Sequence, residues 1–171
     1  MIFQLSARNK SSIKPLVLII VCVSIGGWIP RHLTISPTNS LSEHLFVLQR
    51  DVLPSQIRQK DIVRFQYGDT VTEHAMHEFK MNKPHLLKRV GCIQGHVLNV
   101  DNHRDYFCDG AYLGRAKSKS LTGAIVKNFV WHGDVPQGEF FAIGDHVDSY
   151  DSRYFGFVDL SAVEGKAYPL F

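Results

Sequence analysis

The sequence predicts a mainly β domain of antiparallel strands behind a single N-terminal transmembrane helix. Three observations support this fold class. An apolar segment without charge lies near the N-terminus, at residues 15–29. Short apolar or alternating runs, separated by turn-forming residues, fill most of the remaining chain. Helical periodicity is weak beyond the first segment, and 171 residues are enough for one domain with a sizeable core.

The apolar segment Pro15–Ile29 has the composition of a membrane anchor. It is 15 residues long, whereas a spanning helix needs about 17–25 residues, so we place the anchor at residues 13–30. Lys14 can then reach the lipid headgroups, and Trp28 lies where an interfacial aromatic residue is expected. Two alternatives remain open: a signal peptide cleaved at the small-x-small site Ser24–Gly26, and a helix buried in the core.

The basic residues around this segment predict its orientation. Those before it are Arg8, Lys10 and Lys14, and the one close after it is Arg31. By the positive-inside rule, residues 1–14 form a cytoplasmic tail and residues 31–171 form a domain outside the cytoplasm.

Short runs of residues predict the strands of this domain, and Gly/Asp pairs predict the turns between them. The predicted strands are His44–Leu48, Asp61–Phe65, Leu86–Val90, Val97–Val100 and Phe140–Ile143. The predicted turns are Gly68–Asp69, Asp109–Gly110, Gly133–Asp134 and Gly144–Asp145. Thr34–Ser42 is rich in turn-forming hydroxyl residues, and Val71–Lys80 is either a short helix or an irregular insertion.

Composition argues against several classes of function. The net charge is only +3 and the basic residues are scattered, so no nucleic-acid partner is predicted. The sequence has no glycine-rich phosphate loop and no dinucleotide fingerprint, so no cofactor is predicted. The nine histidines lack the spacing of metal ligands; His74 and His77 form the best pair, and no metal is predicted.

Three segments carry the residues for which a chemical role can be argued: Thr38–Leu41, Leu86–Val90 and Gly144–Gly156. Each alone has an ordinary explanation, as a turn serine, a lysine at a strand end or a polar loop with an ion pair. Together and in this order, they resemble the signal peptidase I family of Ser–Lys proteases, over about residues 34–171. The branch that they resemble most is the TraF-type peptidases of conjugative transfer.

The terminal string is the most specific part of the resemblance. Gly144–Asp145, Ser149 and Asp151–Gly156 are similar to the family's Gly-Asp…Ser-x-Asp-Ser-Arg-Tyr-aromatic-Gly motif. Lys88–Gly95 resembles its Lys-Arg-Val-x-x-x-Pro-Gly segment, and Asp61–Phe65 resembles its Asp-Ile-Val-x-Phe strand.

The resemblance implies a role for each matching residue. Ser40 would be the nucleophile and Lys88 the general base. Ser149 would orient the lysine amine, and the hydroxyl of Thr38 would help the backbone N–H of Ser40 to form an oxyanion hole. The residues implied to give structural support are Asp145 and the ion pair of Asp151 with Arg153.

The chemistry of a lysine base depends on its burial. A serine hydroxyl becomes a good nucleophile when a neighbouring base takes its proton, and an exposed lysine is protonated at neutral pH. Burial disfavours the ammonium and lowers the lysine pKa. We therefore expect Leu86, Leu87 and Val90 to surround Lys88 with apolar groups.

The sequence departs from the family pattern near both proposed catalytic residues. Ser42 replaces the proline that often lies two residues after the nucleophile, so Ser42 is an alternative nucleophile and Ser36 a weaker one. In the lysine segment, Gln94 replaces the usual proline and His96 the usual aspartate.

Two cysteines lie in the predicted exported domain, Cys92 and Cys108, 16 residues apart. An oxidising compartment favours a disulfide, which would stabilise the fold by about 3 kcal/mol in the chain-entropy model. The alternative is two unpaired buried thiols. Cys22 lies within the predicted anchor and is expected to be inert.

The resemblance implies a membrane-anchored serine endopeptidase at a bacterial inner membrane, with a periplasmic domain that cleaves exported precursor proteins. Its substrate would have small residues at the cut site and bind as an added β-strand. We predict a conjugative pilin precursor, with general secretory precursors second. Two alternatives are a non-catalytic, membrane-tethered assembly factor of the conjugation apparatus and a self-cleaving protein with the same dyad.

Overall fold

The protein is predominantly antiparallel β, as the sequence predicts. The computed structural model describes residues 13–67 and 85–170. In these residues, helix α1 (Ile13–His32) precedes eleven strands, and a one-turn helix, α2 (Ser152–Phe155), follows the ninth strand. The strands are β1 Leu33–Ile35, β2 Leu45–Arg50, β3 Ile62–Gln66, β4 His85–Ile93, β5 Val97–Val100, β6 Asp105–Cys108, β7 Ala111–Arg115, β8 His132–Asp134, β9 Glu139–Ile143, β10 Val158–Asp159 and β11 Val163–Pro169.

Among the described residues, the strands form two sheets. The larger sheet has the order β1–β2–β11–β3–β4–β9–β10, and the smaller has the order β7–β6–β5–β8. Every neighbouring pair in both sheets is antiparallel. Strand β4 is central to the larger sheet: it pairs with β3 through residues 85–89 and with β9 through residues 89–93.

The core lies on both faces of the larger sheet and between the two sheets. Alternating side chains along β3 and β4 explain this, because successive residues of a strand point to opposite faces. One face buries a cluster that includes Val63, Phe65, Leu86, Val90 and Phe140. The other face buries Leu41, Phe46, Leu48, Ile62 and Ala167.

A disulfide between Cys92 and Cys108 joins β4 of the larger sheet to β6 of the smaller one. The two Cα atoms are 5.6 Å apart, and both residues are fully buried in the cluster between the sheets. The disulfide predicted from the sequence is therefore present.

Each of the five predicted strands is present, and Val97–Val100 has the predicted bounds. The turn at Asp109–Gly110 is also confirmed, because both residues have positive φ (47° and 81°) and connect β6 to β7 directly. The predicted turn at Gly133–Asp134 is wrong: Gly133 lies in β8 opposite Leu98 of β5. Glycine is a turn signal only when tertiary pairing does not hold it in a strand.

Other predictions were incomplete or lie outside the described residues. Thr34 and Ile35 belong to β1, so the hydroxyl-rich segment begins as a strand that pairs with β2. Gly68–Asp69 and Val71–Lys80, with His74 and His77, are not among the described residues.

Helix α1 covers the predicted anchor and ends at His32, two residues beyond the predicted end at Pro30. A proline this close to a helix end removes only one intrahelical hydrogen bond, so the helix can continue past it. In residues 13–67 and 85–170, no helix is both long enough and apolar enough to cross a membrane. The anchor at residues 13–30 is not confirmed and stays a prediction.

Candidate active site

Lys88 is a buried lysine on the central strand β4, with 3% of its surface exposed. It shares a face of the sheet with Leu86 and Val90, which are also buried. Leu87 lies on the opposite face and packs against the cluster that contains Leu41. The expectation that Leu87 flanks Lys88 on its own face is therefore wrong, and the apolar residue opposite Lys88 on β3 is Val63.

Burial lowers the pKa of Lys88 from 10.5 to about 8, an effect that the negative charge of Asp151 partly opposes. The Nζ of Lys88 donates a hydrogen bond of 2.7 Å to Oγ of Ser149, which is also buried. The amine is thus held in one direction by Ser149. Above about pH 8 most Lys88 side chains are neutral and can accept a proton.

Ser40 lies in the connection between β1 and β2, and the loop that follows β9 holds its backbone. The carbonyl oxygen of Ser40 accepts hydrogen bonds from the N–H groups of Asp145, at 2.7 Å, and His146, at 3.4 Å. The hydroxyl of Thr38 donates to Oγ of Ser40 at 3.1 Å. Ser40 and Lys88 line one cleft of about 350 Å³, which we call the main cleft.

Gly144 allows the loop of Ser40 and the hydroxyl of Ser149 to approach each other. A Cβ atom at Gly144 would lie 2.1 Å from Oγ of Ser149 and 2.7 Å from the carbonyl oxygen of Ser40. Neither distance is compatible with a side chain. Any residue other than glycine would push the Ser40 loop and Ser149 apart.

Asp151 and Arg153 form a fully buried ion pair beneath this loop, with 0% and 2% side-chain exposure. The guanidinium of Arg153 contacts both carboxylate oxygens of Asp151, at 2.8 and 2.7 Å. Asp151 also accepts from the N–H of Gly144 at 2.9 Å, and Arg153 donates to the carbonyl of Ser149 at 3.3 Å. These additional bonds offset the desolvation of the pair and fix the loop that carries Ser149.

Comparison with known proteins supports the resemblance found in the sequence. The chain matches the family described as "Signal peptidase, peptidase S26" over residues 8–171. It belongs to this family. It is therefore a serine endopeptidase of the signal peptidase type, with exported precursor proteins as substrates.

Signal peptidases of this family are typically membrane-associated, with a catalytic domain that faces the periplasm or the exterior. A solved signal peptidase I from Enterococcus faecalis V583 is similar, with 23% identity and a TM-score of 0.40. The match covers 64% of this chain and 95% of that chain. No curated protein matches significantly, and the assignment rests on the family match.

Ser42, the alternative nucleophile in this signal peptidase, is engaged elsewhere. Its Oγ and its backbone N–H both donate to Oδ2 of Asp145, at 3.2 and 3.3 Å. The carboxylate of Asp145 also accepts from Nε and Nη2 of Arg89, at 3.1 and 3.0 Å. Ser36 does line the main cleft, but it is buried and its hydroxyl donates to the carbonyl of Thr38 at 3.2 Å.

Sequence reasoning missed the contributions of Arg89 and Tyr150. Arg89 is adjacent to Lys88, so it points to the opposite face, where it binds Asp145. The sequence places Arg89 in the lysine segment, but it does not indicate that Arg89 pairs with Asp145, which lies 56 residues further along the chain. Tyr150 lines the main cleft beside Lys88.

One group of side chains in the described residues has the proximity of metal ligands: His96, Cys108 and Asp109. Cys108 is bonded to Cys92 and so offers no thiolate. His96 Nδ1 and Asp109 Oδ2 are 2.5 Å apart and are already paired with each other. This group therefore gives no reason to propose a metal site.

Proposed function

We propose that this signal peptidase cleaves precursors with a Ser–Lys dyad, in which Ser40 is the nucleophile and Lys88 the general base. The observation that supports this most is the environment of Lys88. Lys88 is buried, and its pKa falls to about 8. Its amine donates a hydrogen bond to Ser149. Lys88 and Ser40 line the same main cleft. A purely structural lysine would gain nothing from this burial, because removing the ammonium from water is costly.

The proposed reaction begins with neutral Lys88. Its Nζ takes the proton of Ser40 Oγ while the oxygen attacks the substrate carbonyl. The N–H of Ser40 and the hydroxyl of Thr38 stabilise the negative oxygen of the tetrahedral intermediate. The intermediate then collapses: the scissile C–N bond breaks, the Lys88 ammonium protonates the leaving amine, and an acyl-enzyme on Ser40 remains. Lys88, neutral again, takes a proton from a water molecule that attacks this ester, and Ser40 is released when its oxygen regains a proton from Lys88.

The substrate is proposed to bind as an added strand beside β4. Residues 85–88 of β4 pair with β3 on one side, whereas the described pairing with β9 on the other side begins only at Arg89. Among residues 13–67 and 85–170, no strand pairs with this side of residues 85–88, next to Lys88. An extended precursor can hydrogen-bond to this edge while its small side chains enter the main cleft.

The finer assignment is to the TraF-type branch, with a conjugative pilin precursor as the substrate. The order and spelling of the segments around Ser40, Lys88 and Asp151, which resemble the TraF-type branch most, support this assignment. In this proposal residues 1–14 are cytoplasmic, and the peptidase domain is periplasmic at a bacterial inner membrane.

The test is cleavage by the purified full-length chain in detergent micelles. The protein is incubated with a pilin precursor, and both are followed by mass spectrometry. Ser40→Ala should abolish cleavage, whereas Ser42→Ala, the matched control, should keep most of it. An inactive Ser42→Ala together with an active Ser40→Ala would show that the nucleophile is Ser42.

The same experiment separates the alternatives. Cleavage of the enzyme chain itself, with the precursor intact, would indicate self-processing. Absence of any cleavage by folded wild-type protein, with pilin and secretory precursors alike, would favour the assembly-factor role.

A further inference from the structure

Tyr150 lies where three cavities meet around the proposed catalytic residues. The main cleft contains Ser40 and Lys88. A second cavity, of about 380 Å³, contains Ser40, Ser149 and Leu121. A third, of about 50 Å³, also contains Ser149. Tyr150 lines all three cavities, so this residue lies where they adjoin.

Aromatic packing holds the Tyr150 ring in place. The ring stacks on Tyr154 of α2, with centroids 5.6 Å apart and planes 6° from parallel. It also contacts Phe155 of α2, with centroids 5.6 Å apart. The hydroxyl of Tyr154 accepts a hydrogen bond of 2.9 Å from the N–H of Lys117. These contacts make Tyr150 a fixed wall rather than an adaptable one.

We propose that Tyr150 sets the size of the substrate side chain next to the bond that is cut. This inference rests on the proposed function, since it takes Ser40 as the nucleophile. A reacting carbonyl must lie about 3–3.5 Å from the attacking oxygen. The residue that carries it therefore enters the cavities that Ser40 shares with Tyr150. In this proposal a methyl group fits against the ring, and a larger branched side chain needs the space that the ring occupies.

The position of Tyr150 in the sequence is consistent with such a role. It lies between Ser149 and Asp151 in the terminal motif. Its neighbours hold the lysine amine and the buried ion pair. Selectivity can thus change at residue 150 while the groups that support catalysis stay the same.

The experiment compares two synthetic precursors that differ only in having Ala or Leu immediately before the cut. The full-length chain in detergent micelles is assayed as wild type, Tyr150→Ala and Tyr150→Phe, and kcat/KM is measured for each precursor. A pocket wall of this kind changes kcat/KM by about 10–200-fold between substrates whose side chains differ by one methylene. We expect Tyr150→Ala to raise the Leu/Ala ratio of kcat/KM at least about tenfold, and Tyr150→Phe to leave it unchanged.

Two further variants keep the inference falsifiable. Tyr112→Ala removes a tyrosine that is 60% exposed on β7 and should not alter the ratio. Tyr150→Trp enlarges the wall and should lower cleavage of the Ala precursor relative to one with Gly at the same position, which tests the inference even if Tyr150→Ala fails to fold.

The outcomes distinguish this inference from the proposed function. If Tyr150→Ala and Tyr150→Trp both kept the wild-type ratios of kcat/KM between precursors and cleaved the Ala precursor normally, the role of Tyr150 would be overturned. The proposed function would be unaffected. Failure of the wild type to cleave any precursor would overturn the proposed function and this inference with it.

Discussion

Replacing Lys88 by methionine should make the protein more stable at pH 6.5, although it removes the proposed base. On folding, the pKa of Lys88 falls from 10.5 to about 8. At pH 6.5 the folded protein must therefore hold a buried ammonium, at a cost of about 3 kcal/mol relative to the unfolded chain. Methionine removes this cost but leaves the Ser149 hydroxyl without its partner, which costs about 1 kcal/mol. The expected gain is about 2 kcal/mol.

The gain should shrink as the pH rises. Between about pH 8 and 10.5 the unfolded chain binds more protons than the folded one, so the unfolding free energy of the wild type increases with pH in this window. By pH 9.5 about 2 kcal/mol of the cost has disappeared, and the two proteins should be nearly equal. Urea unfolding followed by circular dichroism at pH 6.5 and 9.5 measures the difference.

The exposed lysine Lys119 provides the control for this experiment. Lys119→Met should change the unfolding free energy little at either pH. A Lys88→Met protein that is less stable than the wild type at both pH values, or a difference in stability that does not depend on pH, would show that burial does not lower the pKa of Lys88.

Three further predictions concern the site and its support. Lys88→Arg should be as inactive as Lys88→Ala because guanidinium stays protonated. Single-turnover cleavage by the wild type should rise as the pH increases through about 8. Near-normal cleavage by a folded Lys88→Arg protein would exclude the Ser–Lys dyad. Gly144→Ala should lower kcat about 100-fold by displacing Ser149 and the Ser40 loop, with its circular dichroism spectrum retained; full activity would contradict the close contact. Mass spectrometry of unreduced peptides should find Cys92 linked to Cys108, and Cys108→Ser should cost about 3 kcal/mol of stability; free thiols in exported protein would contradict this.

Local sequence patterns predicted the parts of the fold that depend on local chemistry. The alternation in Asp61–Phe65 and the apolar run Val97–Val100 each gave a strand, and Asp109–Gly110 gave a turn. The turn predicted at Gly133 is wrong because Gly133 pairs with Leu98 of the neighbouring strand, and this pairing determines its conformation. Short strands such as β1 and β10 have too few residues to show a period.

The site residues were proposed from a motif, but their geometry depends on contacts between distant segments. Nothing local to Gly144 indicates that a Cβ atom there would meet both Ser149 and the backbone of Ser40. Likewise, a run of apolar residues around Lys88 does not reveal which of them share its face until the strand is paired. Motif matching finds which residues are present, whereas packing determines which atoms they contact.

The open edge of β4 has a further consequence, for self-association. Unpaired strand edges can join two copies of a protein through backbone hydrogen bonds. Here the described open stretch covers residues 85–88, and it contains the buried side chain of Lys88. Strands of this length pair weakly by themselves, and a second copy would have to fit its own folded domain beside the cleft. Nothing in the described part of the chain pairs with this edge, so a flexible peptide can reach it more easily than the edge of a second folded copy can.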